Sequence, residues 1–190
     1  MSSRVICKPL GECLSQIIDY RGKTPKKLGS NWLSGTDGFR AISAKNVKTG
    51  EPLCQLDSIK YVDVDLYKKW MKVEVNRNDI LLTSEAPFGQ VMLWDSDEKI
   101  VLSQRLFALR ADSVICDAGY LYYWMCSHQF QEELRGRATG TTVIGLRQPE
   151  LLKCKVALPD LVTQKKIADV LSSIDKKLNI NVRINDYLVA

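Results

Sequence analysis

Histidine is nearly absent from this chain, and that scarcity excludes several kinds of chemistry at once. His128 is the single histidine among 190 residues. The six cysteines, Cys7, Cys13, Cys54, Cys116, Cys126 and Cys154, include no C-x-x-C pair. Neither residue type therefore supplies a zinc-ligand spacing. A Ser/His/Asp triad would have to recruit His128, which sits with Cys126 in an apolar helical pattern and reads as a packing residue. No apolar run approaches the ~20 residues a membrane helix needs. The start, "MSSRVICKPLGE", has no run long enough for a signal peptide. Scattered cysteines without a secretion signal suggest free thiols in a reducing compartment. A cytoplasmic protein with no membrane partner is expected.

The phosphate-binding signatures are missing too. There is no G-x-G-x-x-G and no G-x-S-x-G elbow. Gly140 and Gly145 have the P-loop spacing, but Leu146 and Arg147 stand where its Lys and Ser/Thr belong. No lysine would reach a β/γ-phosphate and no hydroxyl would hold Mg²⁺. Asp79, Glu85, Asp95 and Asp97 lie near turns, yet no strand acid is followed by the close E-x-K of a metal-dependent nuclease. The sequence thus offers no catalytic residue, metal site or cofactor.

What is present suits binding. The net charge is +5. Six basic residues face two acidic ones between Met1 and Lys27, while the segment from Asp160 onward is near neutral. A polyanion-binding domain followed by an assembly element has this distribution, and so does a merely solvated basic face. "RATGTTVIGLRQPEL" (Arg137–Leu151) combines arginine forks, threonine hydroxyls and small glycines, a set that contacts phosphates well. The same threonines would equally serve to cap the next element.

The order of elements predicts an α+β chain. "GSNWLSGTDGF" reads as a long loop, and "RAISAKNVKTGEP" as a strand running into a turn. "NDILLTS", "GQVMLWD" and "KIVLSQRLFALRA" are β-compatible runs joined by short turns, which predicts a curled, mostly antiparallel sheet. "DAGYLYYWMCSHQFQEELRGR" has helical spacing over about five turns, with Asp117 as its cap. Beyond Pro159, Ile167, Leu171, Ile174, Leu178, Asn181, Asn185 and Leu188 alternate steps of four and three, a coiled-coil-like heptad seam. A helix from about Leu161 to the end would span roughly 45 Å. Its apolar stripe requires a partner, expected to be another helix across a two-fold axis. The division is therefore a recognition domain over residues 1–159 and a dimerisation or spacer helix over 160–190.

Several segments also carry a resemblance. "IIDYRGKTP", "ISAKNVKTG", "NDILLTSEAPFGQV", "SQRLFALRA", "RATGTTVIGLRQPELLKCKVALP" and "QKKIADVLSSID" closely resemble the specificity subunits of type I restriction–modification systems, over nearly the whole chain. Where the family has P-L-P-P-L before its helix, Ala157-Leu158-Pro159-Asp160-Leu161 stands here, one proline fewer. Asp160 can cap the helix in its place. The resemblance implies a target-recognition domain that reads duplex DNA and a long helix that docks adenine-N6 methyltransferase subunits. These in turn recruit motor–nuclease subunits. Complete members carry two such units in tandem, so this chain resembles a half-subunit that would dimerise, or a fragment. Two copies would read a bipartite, palindromic target.

The DNA-contacting residues expected are basic, amide and hydroxyl side chains in the loops. They are Arg21, Lys23, Lys26 and Lys27; Lys45, Asn46 and Lys48; Gln104 and Arg105; and Arg137, Thr139, Thr141, Thr142 and Arg147. Arg105 interrupts an apolar strand, where a buried arginine would need a carboxylate partner. The rival functions are recognition in another methyltransferase–nuclease system, a nucleic-acid-binding protein outside restriction, and an assembly protein binding an acidic partner. Sequence preference on DNA excludes the last, and co-purification with a methyltransferase separates the first two.

Overall fold

Two apolar runs flanked by turn residues organise the molecule, because each buries both of its faces. The computed structural model describes residues 5–140 and 144–189, with the backbone alone for 183 and 186–189. In chain order the elements are β1 (Ile6–Pro9), β2 (Leu14–Asp19), β3 (Phe39–Ile42), β4 (Lys60–Val62) and α1 (Val64–Trp70). Then come β5 (Ile80–Thr83), β6 (Val91–Leu93), β7 (Val101–Leu102) and β8 (Leu106–Ala111). They are followed by α2 (Ala118–Cys126), α3 (His128–Arg137), α4 (Gln148–Leu152), β9 (Lys155–Leu158) and α5 (Leu161–Val189).

A four-stranded antiparallel sheet of order β2-β8-β5-β6 lies at the centre. Alternation along its inner strands divides the core in two. Ile80, Leu82, Phe107 and Leu109 pack on one side against α2, α3, β9 and the start of α5. Leu81, Leu106 and Ala108 pack on the other side with α1 and a small sheet of order β4-β3-β7. Burying each such leucine, isoleucine or phenylalanine stabilises by about 1.5–3 kcal/mol, so both layers are strongly held to the sheet. The α+β expectation holds, but the strands form three sheets rather than one, and β3 pairs with β7 in parallel.

Three expectations are corrected locally. The run Lys99–Ala111 is two strands, broken at Arg105, whose φ is +64°. The five-turn helix is two helices. Ser127 ends α2 in an extended conformation (φ −66°, ψ 149°) and caps α3, accepting from the Phe130 N–H. That break resets the helical phase, so His128 opens α3 with its side chain 89% exposed instead of packing. Cys126 does pack against the core, and Asp117 caps α2 through the Tyr120 N–H.

At Pro159 the chain turns into α5. Asp160 caps the helix, accepting from the Thr163 amide and hydroxyl at 2.9 and 2.8 Å. Gln164 is buried and bonded to the Asp117 amide and the Ile115 and Pro159 carbonyls. Ala168 lies so near Gly119 that a Cβ added there would stand 3.2 Å from the alanine methyl. Tyr123 donates to Asp175 at 2.8 Å. These residues hold one face of α5 on α2. Ile167, Ile174 and Leu178, on the heptad seam, remain exposed with Asn181 and Asn185, and Leu171 is half-buried. The side chain of Leu188 lies outside the described residues. Among those residues no helix is long and apolar enough to cross a membrane.

Candidate nucleic-acid interface

Strand pairing places the C-terminal ends of β2 and β5 beside the N-terminal end of β8, since Asp19 faces Phe107 and Thr83 faces Leu106. The loops leaving these ends are tied together by hydrogen bonds between residues far apart in the chain. The Ser84 N–H donates to the Arg105 carbonyl at 2.9 Å, and the Leu146 N–H to the Ser84 carbonyl at 2.9 Å. Arg21 Nη1 donates to the Leu146 carbonyl at 2.9 Å. The Ala44 N–H donates to the Gln104 carbonyl at 3.1 Å, and the Thr49 N–H to Gln90 Oε1 at 3.0 Å. Thr139 and Gly145 exchange both backbone hydrogen bonds, closing the glycine–threonine loop on itself. The result is an open groove of about 570 Å³, lined among others by Arg21, Glu85, Thr139, Gly145 and Arg147.

The residues expected to contact DNA divide by what they already bind. Arg21 forks onto Asp19 at 2.8–2.9 Å and stacks over the Phe107 ring, so it holds the groove wall as well as lining it. Lys45, Gln104, Thr139 and Arg147 are exposed in the tied loops. Lys48, exposed beside them, pairs with Glu51, and this pair raises the lysine's pKa through the hydrogen bond. Arg105 is half exposed and paired with Glu85 at 3.0 Å; the buried arginine expected from the sequence is a surface one, because the strand breaks there. Thr141 and Thr142 lie outside the described residues.

Other candidates lie apart from the groove or serve the fold. Arg137 bonds Glu133 and lies 3.6 Å from Glu150, joining α3 to α4. Asn46 is buried: its Nδ2 donates to the Cys54 and Gln55 carbonyls and the Ser58 hydroxyl, and its Oδ1 accepts from Ser43. Lys23 donates to the Trp70 carbonyl at 2.6 Å and covers the Tyr20 ring. Burial, then Lys72, pushes its pKa down. Lys26 and Lys27 are exposed on the turn after Pro25, with Lys27 donating to the Gly22 carbonyl.

The acids weighed as a nuclease site are dispersed onto arginines: Asp79 onto Arg110, Asp95 and Asp97 onto Arg77, and Glu85 onto Arg105. Among the described residues no three His, Cys, Asp or Glu side chains cluster as metal ligands would. Sequence reasoning missed Glu85 as part of the groove. Its place in "SEAPFG", a turn leading off an apolar strand, was the available signal.

Comparison with known proteins adds an independent line. Residues 12–188 match the family described as the type I restriction modification DNA specificity domain. The chain is 30% identical over 149 residues to the type I restriction enzyme MjaVIII specificity subunit of Methanocaldococcus jannaschii, covering 76% of this chain and 35% of that protein. The fold resembles the S subunit of a type I restriction–modification system from M. genitalium, with a TM-score of 0.66 and 17% identity, over 98% of this chain and 43% of that one. It also resembles the HsdS subunit from Thermoanaerobacter tengcongensis, with a TM-score of 0.66 and 15% identity, over 96% of this chain and 45% of that one. The chain thus spans about a third of the curated relative and under half of each solved structure.

Proposed function

The chain belongs to the family of type I restriction modification DNA specificity domains, and from that premise we propose that it recognises duplex DNA by sequence through the loops gathered at the end of its central sheet. The observation that carries this is the convergence of Arg21, Lys45, Gln104, Arg105 and Arg147, distant in sequence, on one hydrogen-bonded surface. Arginine, lysine and glutamine are the side chains that read base edges and bind phosphates. Asn46 plays no part in contact, because its amide is committed to the fold.

Residues 1–159 act as the recognition domain and residues 160–190 as the assembly element. The exposed seam through Ile167, Ile174 and Leu178 pairs with a second copy, setting two recognition domains on a bipartite site. The assembled pair directs adenine-N6 methyltransferase subunits, and through them a motor–nuclease subunit, to that site in the cytoplasm. The chain contributes no catalytic residue.

Titration of a labelled duplex at rising salt tests the first step. Each phosphate neutralised steepens the fall of log K with log salt by about 0.9. Arg147→Ala lowers that slope by about one if the residue holds a phosphate. An affinity independent of salt would contradict DNA binding at this surface.

A further inference from the structure

Four arginines elsewhere in the molecule have their forks filled by carboxylates. Arg21 is bidentate on Asp19, Arg40 on Glu98 and Arg110 on Asp79. Arg77 spans Asp95 and Asp97. Arg105 is built differently. Glu85 meets it at Nε, 3.0 Å away, and among the described residues no hydrogen bond fills Nη1 or Nη2. The open edge of the fork is the edge that matches a pair of acceptors.

The backbone beneath this side chain is held unusually firmly. Arg105 lies at φ +64°, a left-handed conformation that costs an L residue energy and persists only where its surroundings impose it. Three hydrogen bonds impose it here. The Ser103 N–H donates to the Ile42 carbonyl at 2.8 Å, the Gln104 carbonyl accepts from Ala44, and the Arg105 carbonyl accepts from Ser84. Glu85 follows Ser84, whose carbonyl receives the Leu146 N–H, and its Cγ lies where a Cβ added at Gly145 would stand 3.4 Å away. Leu146, the loop after β5 and the β7–β8 connection therefore converge on the backbone that carries one exposed guanidinium.

Resting on the DNA-recognition function above, we propose that Arg105 is a base-reading residue that recognises a guanine, and that Glu85 is its positioning residue. Guanine presents O6 and N7 in the major groove, two acceptors that match two parallel guanidinium donors. Glu85 lies on the opposite, Nε side of the fork, 3.0 Å away, and its charge biases the guanidinium toward that orientation. Arg147, by contrast, has no carboxylate partner among the described residues and lies on the groove rim, as a phosphate contact would. The two arginines thus divide the work, one specifying a base and one adding affinity.

The test is selection of bound sequences from a randomised duplex library by the full chain, with wild type, Arg105→Ala, Arg105→Asn, Arg105→Lys, Glu85→Gln and Arg147→Ala compared. Asn tolerates left-handed backbone, so Arg105→Asn guards against simple misfolding. The wild type is expected to prefer guanine at one position by about 5- to 150-fold. Arg105→Ala and →Asn lose that preference at that position alone, with the salt slope unchanged, and Arg105→Lys, which keeps a donor without the fork, reduces it. Glu85→Gln weakens it at the same position, and Arg147→Ala leaves the preference while lowering the slope. If wild-type preference survives every Arg105 substitution, or if those substitutions weaken all sequences equally and reduce the slope, Arg105 is not a reader while the recognition function stands. If the wild type selects no sequence at all, the recognition function falls and this assignment falls with it.

Discussion

Single residues carry much of the fold's electrostatics, and some of them can be tested alone. Asp79 is 1% exposed, accepts the Arg110 fork at 2.7–2.8 Å and accepts the Asn76 N–H. Asp79→Ala leaves Arg110 without its partner and should cost about 3 kcal/mol in urea unfolding; a change within error would mean that the pair contributes nothing net. Asp160 gives a pH signature. The Thr163 amide, and after it the Thr163 hydroxyl, hold its carboxyl below the usual carboxylate range. An acid whose folded pKa is depressed stabilises above its unfolded value, about 4, and loses that stabilisation as pH falls through the folded value. Asp160→Asn, still a good cap, should therefore flatten the acid limb of thermal stability, and an unchanged limb would locate the acid sensitivity elsewhere. Asp160 was legible as a cap from its place after Pro159. The role of Asn46 was not legible, because its partners at Cys54, Gln55 and Ser58 come from a loop whose path no local pattern reveals.

Elements were read well where a period ran long and poorly where a cap interrupted it. The 29 residues of α5 follow the expected course because the spacing of its apolar residues persists. The α2–α3 pair did not follow expectation because a serine inside an apolar run looks like a helical residue until its backbone turns extended. Ser127→Ala removes the hydrogen bond to Phe130 and should destabilise by about 1 kcal/mol, read by chemical denaturation; no loss would show the cap to be dispensable. For α5 the structure also refines the choice of variant. Deleting residues 161–190 would strip Gln164 and Ala168 from the core, whereas Ile174→Glu with Leu178→Glu alters exposed side chains alone. The wild type is expected to sediment at twice the chain mass and the double variant at the chain mass, with secondary structure by circular dichroism retained in both. A dimer in both would remove the seam from the interface.

At the scale of the whole molecule, the interface is a product of topology. Arg21, Lys45, Glu85, Arg105 and Arg147 lie far apart in the chain, so each could be nominated by residue type while their assembly at one sheet end could not. Antiparallel pairing of β2, β5 and β8 brings their loops together, and the long-range hydrogen bonds then lock them. The same architecture sends α5 off through Pro159 with its seam uncovered. Gly145 and Leu146, at the end of the stretch whose glycines have the P-loop spacing, are instead part of the wall against which Arg21 and Glu85 are set. The most direct test of the central claim is a genome-wide map of methylated adenines in cells co-expressing this chain with its genomic neighbours. A bipartite, palindromic methylated motif that disappears when the chain is omitted and changes at one base of each half-site with Arg105→Ala is the expected result. Methylation that is unaffected by omitting the chain, or that follows no such motif, would contradict the account.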